Sequence, residues 1–308
     1  MTLDPQAKLV LDQIKKANNP PKSELSPEKA RKIAGTNHPL EKPEVGRVED
    51  RTIPGPDGEI PVRIYTPHGQ GPFPALIYFH GGGWVLGDLN SSDTSCRLLT
   101  NGVNCVVISV DYRLAPEHKF PAAVNDAYAT TRWVADNASS IEVNPNCLAV
   151  GGDSAGGNLA AVVAMMARDK AGPILSYQLL IYPIVNYNFD SNSYHENATG
   201  YMLTRDSMIW YWNHYLHNKD EGNHPYASPL QADDLNSLPP TLVITAEYDP
   251  LRDEGEAYAK RLKEAGVPVV FTRYKGMIHG FFTMTETIDK AKEATQQAVT
   301  ALKKAFSK

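Results

Sequence analysis

Apolar positions along the chain fall into two regimes. Over the first 45 residues they are spaced as in surface helices. Ala7, Val10, Ile14 and Ala17 recur at helical intervals until Asn18-Asn19-Pro20-Pro21 interrupts them. A second helix is predicted with Ser26 as N-cap, Pro27 in its first turn and Gly35 as its stop. Residues 48–67 then give two extended runs about Pro54-Gly55-Pro56-Asp57-Gly58, the pattern of an antiparallel hairpin. From Pro74 onward the runs are short, apolar and β-branched, without alternation: ALIYF, CVVISV, CLAVGG, YQLLIYP, TLVITAEYD and VPVVFTRYK. Such runs suit strands covered on both faces, as in a parallel sheet. Helical patterns at 120–137, 156–171, 252–265 and 285–306 separate most of them, the last placing Ile288, Ala291, Ala298, Leu302 and Ala305 on one face. Strand and helix in alternation predict an α/β fold, a mostly parallel sheet with helices on both sides.

One interval departs from that rhythm. Residues 184–238 are rich in Tyr, Trp, Asn and His, and a bare loop of this length does not suit a compact domain. Met208, Trp212 and Tyr215 sit at helical spacing within it. The expectation is an insertion with helices of its own, packed over the sheet's edge together with the N-terminal helices. The implied division is an N-terminal helical part at 1–45, an α/β core at 46–185 and 238–308, and an insertion at 186–237.

Composition changes this picture little. The chain has 308 residues, 42% hydrophobic and 21% charged, enough for a sizeable core. A net charge of −5 argues against a nucleic-acid surface or a polybasic membrane anchor. Cys96, Cys105 and Cys147 are an odd set without close spacing and read as buried free thiols. No stretch approaches the ~20 apolar residues of a membrane span, and the N-terminus lacks a signal-peptide core, so a soluble cytoplasmic protein is expected.

The chemistry concentrates at CLAVGGDSAGGNLAAVVAMMARDK, residues 147–170. A strand runs into Gly152-Asp153-Ser154-Ala155-Gly156 and directly into a helix, the context of a nucleophile elbow. A serine held in a strained turn needs neighbours without bulk, and Gly152 and Gly156 leave room. The helix beyond directs its N-terminal N–H groups toward negative charge near Ser154. Other readings of the glycines fail. Asn158 follows Gly157 where a phosphate loop needs Lys, and Asp153 stands where a dinucleotide fingerprint needs its middle glycine.

A serine nucleophile needs a base, and the base an orienting acid. In the order serine, acid, histidine, Asp249 lies just past an apolar strand and His279 follows the last one. An aspartate before proline also suits a turn or cap, and Glu247 and Asp253 are local alternatives for the acid. His214 and His217 share a helical face without a third ligand, and His195-Glu196 is not part of a zinc motif, so no metal is expected. Upstream, the run Leu76–Phe79 ends in His80-Gly81-Gly82-Gly83-Trp84. Attack on an acyl carbonyl places negative charge on oxygen, and a glycine loop can turn backbone N–H groups toward it, with Ala155 adding another. His80 is expected to brace that loop. Asp111 to Glu117, DYRLAPE, is expected to be a charge-paired turn without direct chemistry.

Together, HGGGW (80–84), DYRLAPE (111–117), GDSAGG (152–157), YDPLRD (248–253) and HGF (279–281) resemble the hormone-sensitive-lipase-like family of α/β-hydrolase carboxylesterases, from about Pro74 to the C-terminus. The resemblance implies Ser154 as nucleophile, Asp249 as acid, His279 as base, and Gly82, Gly83 and Ala155 as oxyanion donors. It also implies a cap over the site, no cofactor, and small short- to medium-chain acyl esters as substrates. A homodimer is common in such proteins. Trp84, Tyr182, Met202, Leu203 and Phe281 are candidates for an apolar acyl pocket. The same triad can serve an amidase or lactonase. A non-catalytic receptor on this fold would lack the histidine that this chain keeps.

Overall fold

The protein is described by a computed structural model covering residues 2–35 and 42–307. Part of the expected N-terminal cap segment, residues 1 and 36–41, lies outside this description. Eight strands form one sheet: β1 (Arg47–Gly55), β2 (Gly58–Thr66), β3 (Phe73–Phe79), β4 (Val106–Val110), β5 (Val143–Asp153), β6 (Tyr177–Ile181), β7 (Thr241–Tyr248) and β8 (Val269–Ile278). Their order is β1-β2-β4-β3-β5-β6-β7-β8. The hairpin pairs Gly55 with Gly58 across its turn, β2 runs antiparallel to β4, and from β4 to β8 every pairing is parallel. The sheet is the mostly parallel α/β sheet that the strand–helix rhythm predicts, and its arrangement is the α/β-hydrolase fold that the motif resemblance implies.

Two apolar cores flank the sheet. On one face lie α4 (Ala122–Asp136), α5 (Ala155–Asp169) and α8 (Arg252–Glu264); on the other, α3 (Asp93–Val103) packs against α9 (Asp289–Phe306). Burial on both sides explains why β4 and β6 read as largely apolar runs without alternation. The structure departs from the sequence pattern in two places. The last run is not covered on both faces: β8 is an edge strand whose first residues alternate in exposure, with Val270 54% exposed. Helix α3 goes unpredicted, because Cys96, Leu99 and Val103 form its buried stripe amid Ser, Thr, Asn and Gly. All three cysteines are free, Cys96 and Cys105 buried and Cys147 half-buried.

At the N-terminus, α1 (Pro5–Ala17) and α2 (Pro27–Ala34) occupy the predicted ranges, and Ser26 Oγ accepts the Lys29 amide. Residues 184–238 carry α6 (Asn192–Glu196) and α7 (Arg205–Tyr215). The N-terminal segment meets this region directly: the Trp210 indole donates to the Leu25 carbonyl at 3.1 Å. Arg31 reaches the other way, donating to the carbonyls of Val85 and Ala115, each at 2.8 Å, and gripping Glu117 with two nitrogens.

The 111–117 turn is charge-paired through partners outside it. Arg113 holds Asp126 with Nε and Nη2 at 2.9 and 2.8 Å, while its Nη1 reaches Asp57 at 3.0 Å. Asp126 is buried, so removing the guanidinium leaves a carboxylate with one backbone donor, the Arg113 amide. Arg113→Ala should therefore lower stability by about 3 kcal/mol, read as a fall in Tm, with kcat of the folded fraction unchanged. Lost turnover at an unaltered Tm would contradict this. Burial, with Asp88 nearby, pushes the Asp111 carboxyl up from its ordinary 3.8 to about 6. Between those values the folded chain holds a proton that the unfolded chain releases, so stability falls as pH rises through the window. Asp111→Asn should raise Tm at pH 8 and make no difference below pH 3.5. An equal Tm gain at both would rule the linkage out.

Candidate active site

The turn between β5 and α5 is built for close approach. Ser154 takes φ 56° and ψ −116°, a positive φ rare outside glycine. Its N–H donates to the Ile181 carbonyl at 2.9 Å and its C=O accepts the Ile184 amide at 3.2 Å, so β6 and its following segment grip the strained residue from both sides. A methyl group at Gly156 would collide with the Phe79 carbonyl, and one at Gly152 with the same carbonyl and with Gly156. This contact lets α5 start directly beneath the end of β3.

Side chains from two further loops converge on that turn. His279 Nε2 lies 3.0 Å from Ser154 Oγ, and His279 Nδ1 lies 2.7 Å from Asp249 Oδ2. All three residues are buried. A carboxylate only accepts, so Nδ1 carries the ring proton and Nε2 is left to accept from the serine hydroxyl. The other Asp249 oxygen accepts the Leu251 amide at 2.9 Å. The alternative acids are engaged elsewhere: Glu247 Oε2 accepts the Gly276 amide at 2.7 Å, and Asp253 Oδ2 accepts the Ser193 amide at 2.8 Å.

The glycine loop lies beside Ser154, where both border one cavity of about 230 Å³. Gly82 and Gly83 have φ of 117° and 61°, and their amides donate no hydrogen bond among the described residues. Ala155, the first residue of α5, carries one of the N–H groups that a helix start leaves unpaired. The glycines answer to packing as well as to openness. A Cβ at Gly81 would strike the Asp153 carboxylate, one at Gly82 the Leu86 carbonyl, and one at Gly83 the Tyr211 ring of α7. His80 braces the loop, its ring stacked on Tyr112 and its Nδ1 donating to the Gly81 carbonyl at 2.7 Å. Complete burial pushes its imidazolium pKa down, so the ring is held neutral.

Asp153 is a functional candidate that the sequence left unassigned. Its Oδ1 accepts the Tyr78 hydroxyl at 2.9 Å and the Gly81 amide at 3.2 Å, joining the nucleophile's own turn to the glycine loop. Burial pushes its carboxyl up, against the pull of the Tyr78 and Gly81 donors and of nearby His279. Its position next to Ser154 is visible in the sequence, but the reach to Gly81 is not.

Of the five side chains expected along an acyl pocket, Met202 and Leu203 border the cavity, with Ile184, Met208 and Tyr211. The other three do not. Trp84 is fully buried and stacks on Tyr215 at 4.0 Å, and Phe281 packs behind Tyr182. Tyr182 is also buried, its ring 4.6 Å from that of His279, so it supports the base without facing the cavity. Lys22, which no sequence pattern singled out, borders the cavity with its Nζ 5.9 Å from the Tyr211 ring centre. Among the described residues, no three His, Cys, Asp or Glu side chains gather as metal ligands.

Comparison with known proteins agrees with this geometry. Residues 76–283 match the family described by the α/β-hydrolase fold. The chain belongs to that family, in its hormone-sensitive-lipase-like carboxylesterase branch. It is 44% identical over 267 residues to the carboxylic ester hydrolase LipN of Mycobacterium tuberculosis, covering 85% of this chain and 71% of that one. It is 42% identical to an arylesterase of Saccharolobus solfataricus, over 80% of each chain. Among solved structures, the hyperthermophilic esterase of the archaeon Pyrobaculum calidifontis superposes with a TM-score of 0.93 at 45% identity, over 99% of both chains.

Proposed function

We propose that this protein is a carboxylesterase that hydrolyses short- to medium-chain acyl esters through Ser154, His279 and Asp249. The reading rests on one observation, the unbroken line of two hydrogen bonds from Asp249 through His279 to the serine hydroxyl. His279 Nε2 takes the hydroxyl proton as Ser154 Oγ bonds to the acyl carbon. The negative charge that forms on the carbonyl oxygen is met by the amides of Gly82, Gly83 and Ala155. As the tetrahedral species collapses, the bond to the alcohol oxygen breaks and His279 returns its proton to that leaving group. Water then attacks the acyl-serine, giving a proton to the same nitrogen, and the acid departs with Ser154 restored. Asp249 fixes the tautomer and stabilises the imidazolium in both steps.

A small acyl group suits the cavity. About 230 Å³ lies below the ~300–1,000 Å³ of drug-sized sites, and Ile184, Met202, Leu203 and Met208 give it apolar walls. We take residues 1–45 and 186–237 as one cap over the core at 46–185 and 238–308, supported by the Trp210–Leu25 bond and by Tyr211 lying against Gly83. The expected result for Ser154→Ala is loss of p-nitrophenyl butyrate turnover and of covalent organophosphate labelling. Labelling that survives would exclude this serine. A panel of esters of graded length, with an amide and a lactone of matched size, should show turnover falling as acyl chains lengthen. Faster turnover of the amide or lactone would transfer the assignment to an amidase or lactonase.

The same reading gives the protein a cytoplasmic place and a homodimeric state, with no nucleic-acid partner. No described helix is long and apolar enough to cross a membrane, and three free thiols fit a reducing compartment. Apart from Gly276, whose carbonyl accepts the Asp4 amide, the outer edge of β8 offers main-chain groups for pairing with a second copy. Gently lysed cells should yield soluble activity eluting at the mass of two chains. Activity in the membrane pellet would contradict the location, and monomer-sized activity the dimer.

A further inference from the structure

The strand that delivers Asp249 ends one residue before it, at Tyr248, and α8 begins at Arg252. The main chain from 249 to 251 therefore lies outside any ladder, and Leu251, the N-cap of α8, supplies no side-chain cap. Its support comes from the insertion. Ser193 Oγ donates to the Pro250 carbonyl at 2.6 Å. The Ser193 amide donates to the Asp253 carboxylate at 2.8 Å, and the Asp253 amide reciprocates to Ser193 Oγ at 3.2 Å. One turn further along α6, Asn197 Nδ2 donates to the carbonyl of Asp249 itself at 3.3 Å, alongside the Arg252 amide at 3.1 Å. Ser193 and Asp249 are fully buried and Asn197 is 2% exposed, so water does not compete for these bonds. At the rim, Arg252 joins the same two pieces by donating to Glu196 at 2.8 Å.

We propose that Ser193 and Asn197 are positioning residues for the acid–base pair, and that the insertion holds Asp249 in register with His279 as well as covering the site. The proposal rests on the assignment of Asp249 as the acid. The Asp249 carboxylate itself is held by two bonds, from Leu251 N and His279 Nδ1. Its aim is consequently set by the backbone that carries it, and α6 grips that backbone at two successive carbonyls. Loss of either grip frees the loop to shift, which lengthens the Asp249–His279 bond. A substrate bound under the cap would still see the same walls, because neither Ser193 nor Asn197 borders the cavity.

The test uses the full chain with Ser193→Ala, Asn197→Ala, their combination, Ser193→Thr and Asp249→Asn, each measured for Tm, kcat and KM with p-nitrophenyl butyrate. A misplacement of up to an ångström can cost ~100-fold in rate, so each alanine variant should lose about 10-fold in kcat and the pair about 100-fold. KM should stay within about twofold, and Ser193→Thr, which keeps the hydroxyl, should recover most of the loss. The downfield imidazole N–H proton resonance of the His–Asp pair should shift or broaden in the alanine variants. If Ser193→Ala fails to accumulate, Asn197→Ala carries the same expectation. A lowered Tm with unchanged kcat and resonance, or a rise confined to KM, would overturn the proposal. Near-normal turnover by Asp249→Asn would instead sink the assignment of the acid. Loss in Asp249→Asn with none in the α6 variants would refute the positioning role alone.

Discussion

The positive φ of Ser154 is the constraint on which the rest of the site depends. Holding a non-glycine residue there costs about 1–3 kcal/mol and persists only where neighbours over-determine it. Here the amide is tied to Ile181, the carbonyl to the Ile184 amide, and the flanking glycines to the Phe79 carbonyl. Those contacts come from β3, from β6 and from the segment that follows β6, the two strands being those on either side of β5. The parallel sheet is thus the clamp for the turn, and burial of β3, β5 and β6 between two layers of helices keeps the clamp rigid. The hydroxyl that meets His279 is exposed to the cavity because the chain cannot relax away from it.

The glycine loop acquires a second meaning from the same packing. Three glycines in sequence look like a provision for backbone amides to approach a reacting oxygen. Each also answers a specific neighbour: Gly81 the Asp153 carboxylate, Gly82 the Leu86 carbonyl, Gly83 the Tyr211 ring. Two of the three have positive φ that other residues avoid. The entropy lost on ordering such a loop is met by His80 below, Asp153 beside it and Tyr211 above. An open loop and a tightly gripped one are compatible here because, among the described residues, none of these contacts uses the Gly82 or Gly83 amide.

Much of this was legible in the sequence where local pattern and local chemistry coincide. The elbow declares itself because its glycines, strand and helix are contiguous, and Ser26, Pro27 and Gly35 mark their helix for the same reason. Asp249 and His279 stand just past strand ends, where open α/β sheets place their chemistry, but strand ends alone leave Glu247 and Asp253 open for the acid, and only the family resemblance points to Asp249. What escaped detection depends on long-range contact. Helix α3 has its apolar stripe diluted by polar residues, and its place is decided by α9 across the layer. Trp84 and Phe281 look like pocket residues by type, yet Tyr215 and Tyr182 claim their faces. The edge position of β8 is invisible in an apolar run, because strand order is a property of the whole sheet.

The segment from Glu247 to Glu254 shows how one short stretch can organise several loops at once. Its three buried carboxyl groups differ in task because they meet different donors. Glu247 takes the amide of Gly276 and so fixes the approach of the chain to His279. Asp249 accepts the hydrogen bond of the imidazole N–H. Glu254 takes the amides of Val185 and Asn186 at 2.7 and 3.2 Å, just beyond the residue that ties β6's exit to Ser154. Burial pushes the Glu254 carboxyl up, while the two amide donors pull it back. Base loop, base and cavity wall are thereby referred to one short stretch of chain at the end of β7. The consequence is geometric: the place of that stretch sets all three relative to Ser154, and the Asp249–His279 bond keeps its length only while residues 249–251 are held in register.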